Sequence, residues 1–169
     1  MRTYKAIVAI DEKNGIAKDG KIPWNFSDDF KLFKMITVGN ENNAIVMGRK
    51  TADSLDIFPL PKRENFVLTR DPIPWNEEDI SDINEIPDTF DDIFIIGGAE
   101  IYNKFFKEAL PEKIYISKIK GDYECDTFID FANIYRSYEM TSLIEFNNFN
   151  LEIFKRVKTY ELSELGSVL

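Results

Sequence analysis

Short apolar runs and helix-like runs take turns along most of this chain, and that alternation leaves few folds open. Tyr4–Ile10, Ala44–Met47, Asn65–Leu68, Ile93–Ile96 and Ile114–Ile119 read as strands, with helix-like runs over 28–37, roughly 51–56 and 99–108. Nearly continuous apolar strands separated by helices predict βαβ units and a mostly parallel sheet covered by helices. The end of the chain differs. Tyr138–Phe146 and Leu151–Lys158 flank an Asn-rich turn at 147–150, which predicts an antiparallel hairpin. A polar, proline-bearing stretch from 71 to about 85 carries no assigned element. No repeat, low-complexity tract or composition break marks a second domain. The expectation is therefore one α/β domain over residues 1–161 followed by a tail at 162–169.

Composition narrows the chemistry. With 169 residues, 44% of them hydrophobic and fourteen Phe, the chain can fill a sizeable core. A formal net charge of -9 without a basic run argues against nucleic acid or an anionic membrane as a partner. Histidine is absent, which removes His acid–base catalysis, Ser–His nucleophiles and His-containing metal sites. Cys125 is the single cysteine, so no intramolecular disulfide can form and no metal site is expected. No secretory or membrane-spanning run is visible, and a cytoplasmic protein is expected.

One carboxylate stands out. The stretch 15–34 runs from a glycine-marked loop through Pro23-Trp24 into a helix expected to be capped by Ser27. At about 100° per residue, Phe26, Asp29, Phe30, Phe33 and Ile36 share one stripe, whereas Asp28 turns away with Lys31 and Met35. A carboxylate on an apolar stripe is costly unless a polar group meets it, which nominates Asp29 as the acid of a pocket. The plainer reading is a first-turn acid stabilised by the helix dipole. Ser117 alternates with Tyr115 on a core strand, where its hydroxyl can bond Asp29 or its own backbone. Trp24, beside a proline, suits either core or pocket wall.

Cations carry unusual weight in so acidic a chain. Met47-Gly48-Arg49-Lys50-Thr51 joins a strand end, a glycine turn, two cations and a hydroxyl at a helix start, an arrangement that suits an anion. An ordinary turn with surface cations is the alternative. Thr69-Arg70 ends the next strand, and parallel strands carry such groups to their carboxyl ends, where α/β sheets bind ligands. A phosphate site is the expected product. Gly97-Gly98 lets a main chain approach a flat ligand or a pyrophosphate closely, or is simply a turn. Arg63, after Pro61-Lys62, can fork onto a carboxylate or remain a surface cation. Glu100 reads as a first-turn acid complementing the dipole, and Cys125 as a small packing residue.

Ile7–Ile10, Asn14–Ala17, Ile22–Trp24, Asp29–Phe33, Val46–Thr51, Leu60–Arg63, Val67–Arg70, Ile95–Tyr102 and Asp126–Phe128, in this order, resemble dihydrofolate reductase. The resemblance spans residues 6 to about 128, and the closing hairpin fits the family's ending. It implies hydride transfer from NADPH to dihydrofolate. Asp29 falls on the family's pocket acid, which binds the pterin's amidine-like edge and promotes protonation of N5. Ser117 falls on the hydroxyl linked to that acid, and Trp24 joins them as a catalytic position. Ile7, Val8, Phe30, Phe33, Thr51 and Leu55 fall on pterin- and nicotinamide-contacting positions. Arg63 falls on the arginine that grips the folate α-carboxylate. Arg49, Lys50, Thr69 and Arg70 fall on the surface for the NADPH phosphates. Ala9, Ile16, Gly97, Gly98, Ala99, Ile101 and Tyr102 fall on the lining of the nicotinamide and pyrophosphate; Gly48, Leu68, Ile96, Glu100 and Thr127 complete the expected cofactor surface.

The pattern departs from the family at Ala17, often Gly in the loop over the active site, and at Ala52, where Trp is common. A monomer is expected, with fusion to or association with thymidylate synthase left open. Two other readings stand. One is another reductase of the same fold, such as the pyrimidine reductase of riboflavin synthesis, which would not need Asp29 and Arg63 together. The other is a non-catalytic nucleotide- or pterin-binding protein.

Overall fold

The expected alternation of strand and helix is present in the computed structural model, which describes residues 2–157. Along the chain run β1 (Tyr4–Ile10), β2 (Gly15–Ala17), α1 (Ser27–Val38), β3 (Ala44–Gly48) and α2 (Arg49–Ser54). Then come β4 (Glu64–Leu68), β5 (Asp79–Ile80), β6 (Ile93–Ile95), α3 (Ala99–Lys107) and β7 (Lys113–Ile119). The chain closes with β8 (Thr127–Phe128), α4 (Phe131–Ser137), β9 (Tyr138–Glu145) and β10 (Phe149–Arg156). The expected tail at 162–169 lies outside the described residues.

Eight strands form one sheet in the order β5-β4-β3-β6-β1-β7-β10-β9. From β5 through β7 every neighbouring pair is parallel, and β10 enters antiparallel between β7 and β9. β2 and β8 form a small separate ribbon.

The two-residue period of a strand sends its side chains to two cores. Ala6, Val8 and Ile10 of β1 meet Ile93, Ile95, Ile114 and Ile116, and beyond them Tyr102, Phe105 and Phe106 of α3. Ile7 faces the other way, onto Ile45, Met47, Val67 and Phe94, with Phe33 and Ile36 of α1 packed against them. Burial on both faces explains why the strands read as continuous apolar runs.

Several local expectations shift. Ser27 does not cap α1: Phe26 takes the cap position in extended geometry, with no side-chain cap bond. Phe26 packs against the Trp24, Ile119 and Phe149 cluster, and that apolar anchor sets the helix start one residue early. α2 starts at Arg49 rather than 51, because Gly48 supplies the extended cap residue. The hairpin turn is tighter than expected and Phe149 is already in β10. α4 was unassigned from sequence; it starts where the Asp130 carboxylate accepts from the Ala132 N–H at 3.1 Å, and it buries Phe131 and Ile134.

The stretch at 71–85 has its own anchor. The Asp79 side chain is fully buried and ion-paired with Arg49. It also accepts from the Ile73 N–H at 2.9 Å and the Asn76 amide at 3.0 Å. This one carboxylate ties β5 and its approach to the start of α2. Asp79→Ala is expected to lower stability by about 2–3 kcal/mol, somewhat less than breaking a fully buried pair because Arg49 is partly exposed. Urea denaturation should show a lower midpoint with little change in slope.

Candidate active site

Asp29 sits in the first turn of α1 and is 6% exposed, whereas Asp28 beside it is exposed. Helical phase alone separates them. Ser117 reaches the same place from β7, opposite Ala9 of β1 and Leu151 of β10. Burial pushes the Asp29 carboxyl above the usual carboxylate range, and a hydrogen bond from the Ser117 hydroxyl partly offsets the shift. Trp24 is buried with Ala9, Phe26, Leu32 and Tyr123 around it. Its ring meets Tyr123 edge-on at 5.4 Å, and its indole N–H has no partner among the described residues.

The loop entering this region is anchored by a residue that sequence reasoning missed. Asp11, fully buried, accepts from the N–H groups of Lys13 and Gly15 at 2.9 Å each, and from that of Tyr123 at 3.1 Å. Burial opposes its charge, but these donors and the Cys125 thiol outweigh it and hold the carboxyl below the ordinary range. The Cys125 thiol is pushed up to about 11 by burial and by that neighbouring carboxylate. A Cβ on Gly15 would lie 2.3 Å from Cys125 Cβ, so no larger residue fits there without movement. An Asp at a strand end with Gly four residues on was the available signal, that of an Asx turn. Further along, the Asp126 N–H donates to Ala17 O at 3.0 Å and the Asp126 carboxylate accepts from the Asp19 N–H at 2.9 Å. Ile16 of β2 packs against the main core, and Thr127 of β8 donates to Asp126.

Apolar groups extend from Asp29 along α1. Ile7, Phe33 and Leu55 share the α1-side core, while Phe30, expected inward, is 42% exposed on the outer margin of that face. The Val8 side chain belongs to the opposite face of the sheet, leaving its main chain on this side. At the far end Arg63 donates from Nε to Pro61 O at 2.9 Å and from Nη1 to Thr37 Oγ1 at 3.0 Å. Thr37 itself donates to Phe33 O at 2.8 Å, locking the arrangement to the helix. Burial lowers the Arg63 pKa, but a guanidinium keeps its charge. Among the described residues it has no carboxylate partner.

The glycine turns meet beside these groups. Gly97-Gly98 is a cis peptide, and the Gly48 N–H donates to Gly97 O at 2.8 Å. A Cβ on Gly97 would strike the Tyr102 ring at 2.9 Å, and one on Gly98 would press on Thr51 Oγ1 at 3.3 Å. Tyr102 lies buried beneath, its hydroxyl donating to Ile7 O at 2.7 Å. Its contribution is to hold the main chain of β1 against α3. Gly98 caps α3 without a side-chain bond, so the first N–H groups of the helix, at Ala99 and Glu100, stay open for an anion. Ile96 and Ile101 are half-buried on either side of the turn.

The cations take two forms. Lys50 is exposed, and Arg49 is held by Asp79. Arg70 and Glu100 pair at 3.1 Å, both nearly fully exposed, a contact that water or a stronger anion can exchange. Thr69, whose N–H donates to Ile80 O at 2.9 Å, directly follows Leu68, the last residue of β4, which packs on the main core. A glycine cradle, an open helix start and strand-end cations fit a dinucleotide phosphate group. Among the described residues no cluster of His, Cys, Asp or Glu could hold a metal ion, and no helix is long and apolar enough to cross a membrane.

A family model described as dihydrofolate reductase matches residues 3–158. The chain is 35% identical over 136 residues to the dihydrofolate reductase of Haemophilus influenzae, covering 78% of this chain and 81% of that one. It is 34% identical over 152 residues to a bifunctional dihydrofolate reductase-thymidylate synthase of Daucus carota, covering 76% of this chain. It spans 28% of that longer relative's length. Among solved structures it resembles the dihydrofolate reductase of Enterococcus faecalis complexed with NADP(H) and RAB-propyl, with a TM-score of 0.75 and 28% identity. That match covers 92% of this chain and 97% of the other.

The raised Asp29 pKa has a sign that can be tested. The folded state favours the protonated acid, so its contribution is fully present below the ordinary carboxylate pKa and is lost as pH rises through the folded value. Asp29→Asn should therefore unfold at a higher temperature than the unmodified protein at pH 7. The gap should close as pH falls into the ordinary carboxylate range, as followed by calorimetry across pH.

Proposed function

We propose that this chain, which belongs to the dihydrofolate reductase family, reduces 7,8-dihydrofolate to 5,6,7,8-tetrahydrofolate with NADPH. One observation carries this reading. α1 presents a buried acid near one end and, through Thr37 near the other, holds Arg63, which has no carboxylate partner among the described residues. At 1.5 Å rise per residue, Thr37, which holds Arg63, lies about 12 Å along the helix from Asp29. A ligand suited to both ends has a polar ring, an apolar middle and a terminal carboxylate. Dihydrofolate has that order of groups.

Asp29, positioned by Ser117, binds the amidine-like edge of the pterin and favours the protonated imine at N5. A cationic imine accepts hydride better than a neutral one, so raising proton occupancy is the protein's main chemical task. The buried Trp24 N–H is a donor suited to the ring or to a water beside it. Ile7, Phe30, Phe33 and Leu55 form the apolar walls around the ring and the middle of the substrate, and the Val8 main chain supports them. Arg63 takes the α-carboxylate as a charge-assisted pair.

NADPH, when bound, supplies the hydride. Gly97, Gly98 and Ala99 receive its pyrophosphate at the α3 start, with Gly48, Ile96, Ile101 and, from beneath, Tyr102 shaping that turn. Arg49, Lys50, Thr51, Leu68, Thr69 and Arg70 form the phosphate-facing surface, with Glu100 as the exchangeable partner of Arg70. Ala9, Ile16 and Thr127 border the nicotinamide end. The balance is dihydrofolate, NADPH and a proton giving tetrahydrofolate and NADP⁺. The reaction belongs to the cytoplasm, where the domain acts as a monomer; a chain that also carries thymidylate synthase, as in the plant relative, is the alternative arrangement.

Loss of NADPH absorbance on adding dihydrofolate tests the activity, and no turnover would end this reading. Asp29→Asn should lower kcat/KM at neutral pH by about 10²–10⁴-fold, with the deficit shrinking as falling pH protonates the substrate directly. Arg63→Ala should raise KM for dihydrofolate by about 100-fold with a smaller effect on kcat, as expected when a charge-assisted contact is lost. Unchanged affinity would remove Arg63 from the substrate.

A further inference from the structure

Two glycines of this chain follow a residue whose side-chain carbonyl the next main-chain nitrogen can attack: Asn14-Gly15 and Asp19-Gly20. Glycine has no Cβ to hinder that attack, so both pairs carry the same latent reaction. The fold holds them differently. The Asn14 N–H donates to Asp11 O at 3.1 Å, and its carbonyl accepts from the Ile129 N–H at 3.2 Å. The Gly15 N–H, the would-be nucleophile, is buried and donates to the Asp11 carboxylate at 2.9 Å. Attack requires that nitrogen to lose its proton. A carboxylate beside it holds the proton and repels the charge that deprotonation would leave.

Asp19 and Gly20 stand exposed, with φ of 50° and 77°. They are the central pair of a two-residue turn, in which the Lys18 N–H donates to Lys21 O at 2.9 Å and the Lys21 N–H to Lys18 O at 3.0 Å. Asp-Gly suits such a turn because both central residues need positive φ. Among the described residues neither the Asp19 carboxylate nor the Gly20 N–H has a hydrogen-bond partner. No atom lies within 4 Å of a Cβ built on Gly20. Opening this turn exchanges a few exposed hydrogen bonds for bonds to water, at small net cost.

We propose that Asp19 is a site of spontaneous isoaspartate formation in the folded protein, while Asn14 is shielded from the same chemistry. The Gly20 nitrogen bonds to Asp19 Cγ; its proton and a carboxyl oxygen leave in one water molecule, closing a five-membered succinimide. Water then reopens the ring. Cleavage at Cγ restores aspartate, and cleavage at the α-carbonyl leaves Gly20 joined through the side chain. The product has the mass of the starting chain and one extra main-chain atom between residues 19 and 20. A turn lengthened in this way cannot keep both Lys18–Lys21 hydrogen bonds, and the Asp19 N–H loses its fixed position against Asp126.

The test is prolonged warm incubation of the protein, folded or in urea, followed by cleavage after lysine, which puts the two pairs on separate peptides because Lys18 lies between them. Isoaspartate at residue 19 is read by chromatography and enzymatic carboxyl methylation, and deamidation of Asn14 by its mass gain. The folded protein should convert Asp19 at least about tenfold faster than Asn14, since a locked site reacts only through its rare open state. In urea that preference should vanish. Asp19→Asn keeps a turn-compatible pair and offers a better leaving group, so conversion at that position should accelerate. No isoaspartate at Asp19 in the folded protein, when urea produces it, overturns the site. Equal conversion of both pairs in the folded protein overturns the shielding, and no acceleration in Asp19→Asn overturns ring closure as the route.

Discussion

A carboxylate held out of water is the constraint around which the active-site half of this fold is arranged. Asp29 gains from one hydroxyl, that of Ser117, and from its place in the first turn of a helix, but burial outweighs both. Such a group survives only on a rigid support. That support is α1 itself and, beneath its partner Ser117, β1 and β7, paired from Lys5–Lys113 to Ile10–Lys118 with Ala9 opposite Ser117 and covered on the other face by the large apolar core. The tolerance for a costly group on one face is supplied by dense packing on the other.

The same economy governs the cations. Arg49 is fastened by Asp79 and organises the loop over 71–80, whereas Arg63 is fixed by a carbonyl and a hydroxyl, which place it without neutralising it. A guanidinium held by neutral acceptors keeps its full attraction for a carboxylate. Arg49 thus has its charge largely met inside the protein, whereas that of Arg63 is left for a ligand, and the difference lies in their partners.

That distinction marks where sequence reading runs out. The parallel sheet was legible because strands buried on both faces must be apolar throughout, and Asp29 because helical phase separates it from Asp28. Arg49 read as a free cation because Asp79 lies thirty positions away, and nothing local announces the pairing. The Ser27 cap failed for the same kind of reason: Phe26 packs on a cluster that includes Ile119 and Phe149, contacts made by distant parts of the chain. α4 and β5 are short, and elements of one or two turns or a residue pair lack the periods that make longer ones visible. Adjacent strand residues point apart, so the Val8 side chain joins the opposite core and only its main chain lies beside Ile7 on the α1 side.

The loop ahead of Trp24 is fastened in two grades. Asp11 binds its base from inside the protein, where the surrounding atoms exclude both water and ions. Farther out the fastening changes character: half-buried Lys18 meets exposed Glu124 at 3.5 Å, and the Asp19 N–H meets Asp126, both exposed. Ionic strength acts on the second grade and barely reaches the first. The loop therefore has a fixed root and an outer part whose fastening varies with the surrounding electrolyte.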